Sequence, residues 1–473
     1  MAILQGWDII DFTGINEKLA PHLIADSQAE DAMNVFSSIA GRLTKRPGQS
    51  KLNATQIGTG VLGLHGYYYG EGLTSRKLLA VFNNGNAYYW TGGKNPTFSQ
   101  IKTGLSTKHP VLFATCVNYC VAMNGKDPPW KYDGETVSNL QNAPSTGRCP
   151  VLFHEQLFCI VDDDTVQWSD SFLPEVWEDA FVWTFDKGDG DKLTGLFLYG
   201  NTLLVSKSRS IFQLSGTDID NFRSKKVESN FGVAGPRAGI VVDPCFYYIN
   251  THGIFRFDGL QSVNIIDPPD SRGLPGLPVT WSNVNKNYLH NAVAGYNKAY
   301  NCLWFHVPYN TSTINDLILV YDLKTGAWWK YDKINASCMI DFDDGTSVKT
   351  YTGSANSGYV IEQNVGFNDM GEAIKAYWLG KSFGADSPAR LKKVKRVFVI
   401  DVKSLNDCVF NYRLDNKSKY TTPTSATDTN DVRKYQISSG ICRYFQPKLT
   451  HEVVDKDFAV SGLRVMYKPK KEK

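Results

Sequence analysis

Two stretches of the chain end alike, and the distance between them constrains the fold more than any other feature. Ile211-Phe-Gln-Leu-Ser-Gly216 and Ile254-Phe-Arg-Phe-Asp-Gly259 superpose residue for residue, 43 positions apart. The first closes a unit that begins at Leu193, turns at Gly200-Asn201 and continues as a second apolar segment to Ser206. The second closes a unit that runs from Gly239 to Ile249 and turns at Thr251-His252-Gly253. Apolar runs of strand length separated by Gly and Asn are meanders of short antiparallel strands. Such a unit cannot bury its apolar face alone, but stacked copies can, and a period of about 40 to 45 residues is that of a four-stranded propeller blade.

The pattern extends on both sides of these two copies. Earlier units centre on Leu78 to Gly92, Val111 to Gly134 and Val151 to Asp170, and a later, larger one runs from Ala292 to Tyr331. That makes six blades, and a seventh if the partial unit from Val348 to Glu362 is completed by strands near the start of the chain. Closure of that kind removes an exposed sheet edge. The fold expected is therefore all-β, an irregular six-bladed or seven-bladed propeller over residues 59–364, with attachments at both ends. Residues 1–58 read as an N-terminal arm. Ser27-Gln-Ala-Glu30 has the form of a capping box, and Ala32, Met33, Val35 and Phe36 follow at spacings that suit one short helix. Residues 365–473 alternate as half-buried strands around Ala373 to Trp378, Val394 to Ile400, Cys408 to Arg413 and Gly462 to Tyr467, which suggests a β-sandwich-like domain.

Composition narrows the function. With 50 Lys and Arg against 47 Asp and Glu, the net charge of +3 does not hold a chain of 473 residues tightly on duplex DNA, although local basic patches remain open. The nine Cys include no CxxC pair and read as buried strand residues of a reducing cytoplasm. No apolar run approaches the roughly 20 residues of a membrane-spanning helix. The first residues, Met-Ala-Ile-Leu-Gln-Gly-Trp7, lack the basic flank and apolar core of a signal peptide.

Few residues point to catalysis. Asp186, Asp189 and Asp191 in a Gly-rich loop have oxygens that suit Ca²⁺, but their spacing is not that of an EF-hand, and acidic Gly loops commonly join strands. Asp162, Asp163 and Asp164 occupy a tight turn, where Asp bonds its own backbone. Asp341-Phe-Asp-Asp-Gly-Thr-Ser-Val348 is loosely similar to the Asp-box of sialidase propellers, and an ordinary hairpin turn explains it as well. The eight His form no HExxH pair, and no GxSxG or phosphate-binding Gly loop occurs. No catalytic residue, metal ligand or cofactor is assigned, and the chain is not expected to be an enzyme. Two basic stretches are candidate interfaces instead. One is Arg42, Lys45 and Arg46 in the arm, either a solvated basic turn or residues that face a partner or the propeller's own rim. The other is Lys392, Lys393, Lys395 and Arg396, a run that is usually a solvated strand end and otherwise suits nucleic-acid phosphate or an acidic partner. Strand alternation places Lys393 and Lys395 on one face, and Lys392, Val394 and Arg396 on the other.

In order along the chain, Phe12-Thr-Gly-Ile-Asn16, Leu43-Thr-Lys-Arg-Pro-Gly48, Val166-Gln-Trp-Ser-Asp170 with Trp177, and Gly188-Asp-Gly-Asp-Lys-Leu-Thr-Gly195 are followed by four more segments. These are Leu203 to Ile211, Gly232-Val-Ala-Gly-Pro-Arg237, Gly253 to Gly259 and Val320 to Trp328. Together they resemble the propeller-bearing tail hub or nozzle proteins, also termed packaged-DNA stabilisation proteins, of short-tailed double-stranded DNA phages. The resemblance implies a structural virion tail protein, assembled in the host cytoplasm as a homo-hexameric ring below the portal and its adaptor. It also implies contact with tail fibres or spikes and a distal plug or needle, and transient contact with genomic double-stranded DNA. The alternative is a glycan-binding or glycan-hydrolysing tail propeller, which paired carboxylates in the central pocket would support.

Overall fold

A computed structural model describes residues 4–38, 41–93, 96–269, 274–385, 389–400, 407–423, 425–429, 432–438 and 440–470. It is all-β, and seven blades form the propeller among these residues. Six are four-stranded antiparallel sheets of consecutive strands, spanning 61–102, 112–139, 148–184, 193–228, 239–264 and 293–332. The two segments that first suggested the repeat are the third strands of blades 4 and 5, Ile211–Ser215 and Gly253–Phe257. The partial unit is a seventh blade. Its strands Ala336–Asp343, Val348–Ser354 and Val360–Gln363 are completed by Gln49–Lys51, with Ile361 opposite Lys51. The first strands of successive blades pack in cyclic order, and the first strand of blade 7 lies against that of blade 1, so the ring is closed.

The arm is not a separate element. Its strand Gln5–Ile9 joins a six-stranded sheet ordered Gln5–Ile9, Gly462–Pro469, Lys392–Ile400, Val432–Gln436, Ser425–Thr429, with Ile441–Cys442 also paired to Lys392–Ile400. Ala29–Met33 opens a four-stranded sheet that continues through Ala376–Gly380, Phe445–His451 and Val409–Leu414. Val35–Ser37 and Leu43–Lys45 form a third, small sheet with Ala459–Val460. Aromatic side chains close the space between the two larger sheets. Trp7 stacks on Phe383 at 4.0 Å, and Phe410 packs on Tyr435 at 4.9 Å. The same buried cluster runs on into blades 5 and 6, so the second β body and the propeller share one core.

The expected helix over residues 32–36 is absent, and the reason is tertiary. Ala29, Ala32 and Val35 are fully buried in sheet positions, with a bulge between Ala29 and Asp31. The Glu30 carboxylate does not cap a helix but accepts from Arg413 at 2.9 Å. Asn34 has φ of 57°, a left-handed kink that starts the next strand. The boundary expected at residue 58 shifts for the same reason. The first 51 residues are divided between the second body, the small sheet and the closing strand of blade 7.

Candidate functional site

Lys45 and Arg46 were expected to face a partner or the propeller's own rim; both are buried, and Arg46 meets the end of blade 6. Arg46 is 1 % exposed and holds Asp369 through both guanidinium nitrogens at 2.9 and 2.6 Å. It also donates to Asn34 Oδ1 at 2.8 Å and to the Asp332 carbonyl at 3.1 Å, at the end of blade 6. Lys45 Nζ donates to the carbonyls of Phe367 and Val453, each at 3.2 Å. Burial lowers its pKa to about 8, against the raising influence of Asp457. A Cβ on Gly48 would sit 2.0 Å from the Asn368 carbonyl oxygen, so only glycine lets the arm pass here. This basic pair is a joint between the propeller and the second body, and neither side chain is open to another chain. Arg42, immediately before the strand Leu43–Lys45, is exposed.

The acidic Gly loop is likewise satisfied from within. Lys207, on the second strand of blade 4, is fully buried and donates to Asp164 Oδ1 at 2.7 Å, Asp189 Oδ1 at 2.8 Å and the Asp186 carbonyl at 3.1 Å. Burial opposes the Lys207 charge, yet the bonds from Asp164 and Asp189 outweigh it and raise its pKa. The same bonds hold both carboxyls below their ordinary range. Asp191 receives the Ser208 and Arg209 amides, and Asp186 pairs with Lys226. An ammonium therefore occupies the centre that a Ca²⁺ ion would need, and no metal-binding cluster occurs among the described residues. Asp341 to Val348 forms an ordinary hairpin, in which Asp344 bonds Thr346 and Ser347.

The centre of the propeller is apolar on one side. Phe113, Val151, Phe197 and Ile240, from the first strands of blades 2 to 5, line an open cavity of about 440 Å³. Where those strands begin, Arg237 reaches across the axis. It donates to the carbonyls of Ser337 at 3.0 Å, Leu62 at 2.6 Å and Val111 at 2.8 Å, which ties blade 5 to blades 7, 1 and 2. His65 Nε2 lies 2.9 Å from Thr115 Oγ1 beside the ring of Phe113, and burial lowers its pKa to about 4. Among the described residues, no pair of carboxylates lines this cavity. Sequence reasoning missed Arg237, because its role depends on ring closure; the Gly232 to Arg237 segment was the one visible signal.

The second basic stretch differs from the first. Lys392 is buried and donates to the Arg443 carbonyl, so it does not serve an interface. A register shift between Val394 and Arg396 interrupts the alternation, so Val394 and Val397 both point inward and Arg396 is exposed beside Lys393 and Lys395. The expected grouping of Arg396 with Lys392 and Val394 is thus corrected by the bulge. Cross-strand partners extend this outer face. Lys393 is opposite Lys468, and Phe398 lies between Lys434 and Arg464. Lys395 has its pKa lowered by surrounding cations, Lys393 foremost, then Lys468 and Arg396.

No family model matches the chain, and no curated protein matches it. Among solved structures, it is similar to the computationally designed Ika8 protein, at 11% identity and a TM-score of 0.42, over 67% of this chain and 99% of that one. It is also similar to the WD40 β-propeller domain of Doa1, at 13% identity and a TM-score of 0.44, over 67% of this chain and 97% of that one.

Proposed function

We propose that the chain is a structural component of a short-tailed phage virion, a hub or nozzle protein that forms a homo-hexameric ring below the portal and adaptor. In that ring it retains packaged DNA and lines the ejection path, with fibres or spikes and a distal plug or needle as further partners. One observation carries the reading: segments that bear the resemblance, though distant in sequence, meet in two groups, one at the joint and one inside the propeller. Ile15 donates its amide to the Trp328 carbonyl at 2.9 Å, which joins the Phe12 to Asn16 and Val320 to Trp328 segments. Arg46, in the Leu43 to Gly48 segment, bonds the Asp332 carbonyl four residues beyond Trp328. A second group meets at Lys207, where the Gly188 to Gly195 and Leu203 to Ile211 segments bond each other and Val233 donates to the Lys207 carbonyl at 3.1 Å. These contacts support the reading, and a rigid propeller locked to a second β body suits a load-bearing ring, since closed blades leave loops on two faces for neighbours. Negative-stain classes of the purified chain, alone and with its portal complex, test this. Six-fold rings of disc-shaped lobes are expected. Discs that never assemble, together with turnover of host polysaccharide in a reducing-sugar assay, would replace this reading with the glycan-hydrolysing one.

A further inference from the structure

Residues 365–473 carry 21 Lys and Arg against 12 Asp and Glu, whereas the first 364 carry 29 against 35. The near-neutral whole is thus a basic body attached to an acidic one. The excess cations are concentrated on the outer face of the six-stranded sheet. Lys393, Lys395, Arg396, Lys434, Arg464 and Lys468 project there around the central strand Lys392–Ile400. Asp8, opposite Arg464 and 3.4 Å from its guanidinium, is the one carboxylate that pairs with them among the described residues.

This arrangement is unfavourable in the isolated chain. Like charges directly opposite on neighbouring strands destabilise a sheet, and Lys393 faces Lys468 in that way. Lysines commonly guard edge strands against aggregation, but this strand has partners on both sides, so that explanation does not apply. The chain's two acidic loops are already largely paired from within: Asp163 pairs with Lys192, Asp164 and Asp189 with Lys207, Asp186 with Lys226 and Asp191 with Arg209. A polyanion with regularly spaced charges fits better than a second copy.

We propose that this outer face docks the phosphate backbone of duplex DNA without reading its sequence. Alternate residues on a strand lie about 6.6 Å apart and neighbouring strands about 4.8 Å apart, so the cations form a grid on the scale of successive phosphates. The proposal deepens the tail reading by naming the surface that meets DNA, and rests on that reading only for the choice of DNA as the polyanion.

The test is fluorescence anisotropy of the full chain with a short random-sequence DNA duplex between about 50 and 200 mM salt. Each phosphate contact adds about −0.9 to the slope of log K against log salt, so five or six contacts give a slope near −5. The triple variant K393Q/K395Q/K468Q should flatten the slope by about 2 to 3 and weaken low-salt binding tenfold or more. K393R/K395R/K468R should keep the original slope, as should K108Q/K126Q/K324Q, which neutralises exposed lysines on the propeller. Absence of binding at low salt, or an unchanged slope in the triple glutamine variant, would overturn the proposal. So would self-association that the triple variant abolishes without any DNA binding, which would assign the face to a second copy. Rings that ignore DNA would leave the tail reading intact and remove this face from it. DNA binding without rings would do the reverse.

Discussion

The propeller and the second β body use the same strands and the same aromatic packing, but they are wired differently. Six of the seven blades are made of consecutive strands, so each pairing closes a short loop. The second body joins both ends of the chain: Gln5–Ile9 pairs with Gly462–Pro469, and Ala29–Met33 with Ala376–Gly380. Blade 7 shares this feature, because its closing strand comes from Gln49–Lys51. The difference teaches that the first 51 residues are a common fastener. Whatever loosens them should affect two bodies, whereas damage within a blade should stay local.

The largest effect is expected from removing residues 1–58. This takes a strand from each of the two larger sheets of the second body, two of the three strands of the small sheet and the closing strand of blade 7, so circular dichroism and solubility should report loss of both bodies. A soluble, cooperatively folding propeller would break the comparison. Next comes Arg46→Met, which leaves the Asp369 carboxylate buried and unpaired. It should cost about 3 to 5 kcal/mol in urea unfolding. Lys207→Met lies inside the propeller and strands Asp164 and Asp189, which keep some contact with water. A smaller loss of about 1 to 3 kcal/mol is expected.

Acid should weaken both regions. Burial lowers the pKa of His65, at the propeller axis, and of His451, in the second body, each to about 4, and that of His306, in blade 6, to about 3. Their folded values lie below the ordinary value of about 6.5, so the unfolded chain binds protons first. Stability is fully present above pH of about 6.5 and declines as the pH falls toward 4, a trend that melting temperatures across that range would record. His451→Met should reduce the decline. Asp164 and Asp189, also lowered, add a further loss only below the ordinary carboxylate range near 4. The smallest change is expected from Lys192→Ala, since its pair with Asp163 is exposed on both sides. Less than about 0.5 kcal/mol should be lost in the same urea titration.

What could be read from the sequence follows the same division. Blades were visible because Gly and Asn turns punctuate locally paired strands, as at Gly200-Asn201 and Asn83-Asn-Gly85. The count of seven depended on a partner some 300 residues away, which strand periodicity does not reveal. The capping-box residues misled because Glu30 meets Arg413, far along the chain. Phe445–His451 was not among the expected strands; it pairs on both sides although Pro447 lies within it. Whether Lys45 and Arg46 face a partner or the propeller's own rim was not legible, because Asp369 and the carbonyls that receive them are distant in sequence. The outer basic face was partly legible from Lys393 and Lys395, but the bulge that turns Arg396 outward and the opposing Lys468 belong to the pairing, not to the run itself.

Hydrogen exchange of the Arg46→Met variant tests the common-fastener account most directly. Protection should fall together in Val360–Gln363 of blade 7 and in Ala376–Gly380 of the second body, while Thr202–Lys207 of blade 4 keeps the protection it has in the parent chain. Loss confined to one of the two bodies, or spread evenly over every blade, would contradict it.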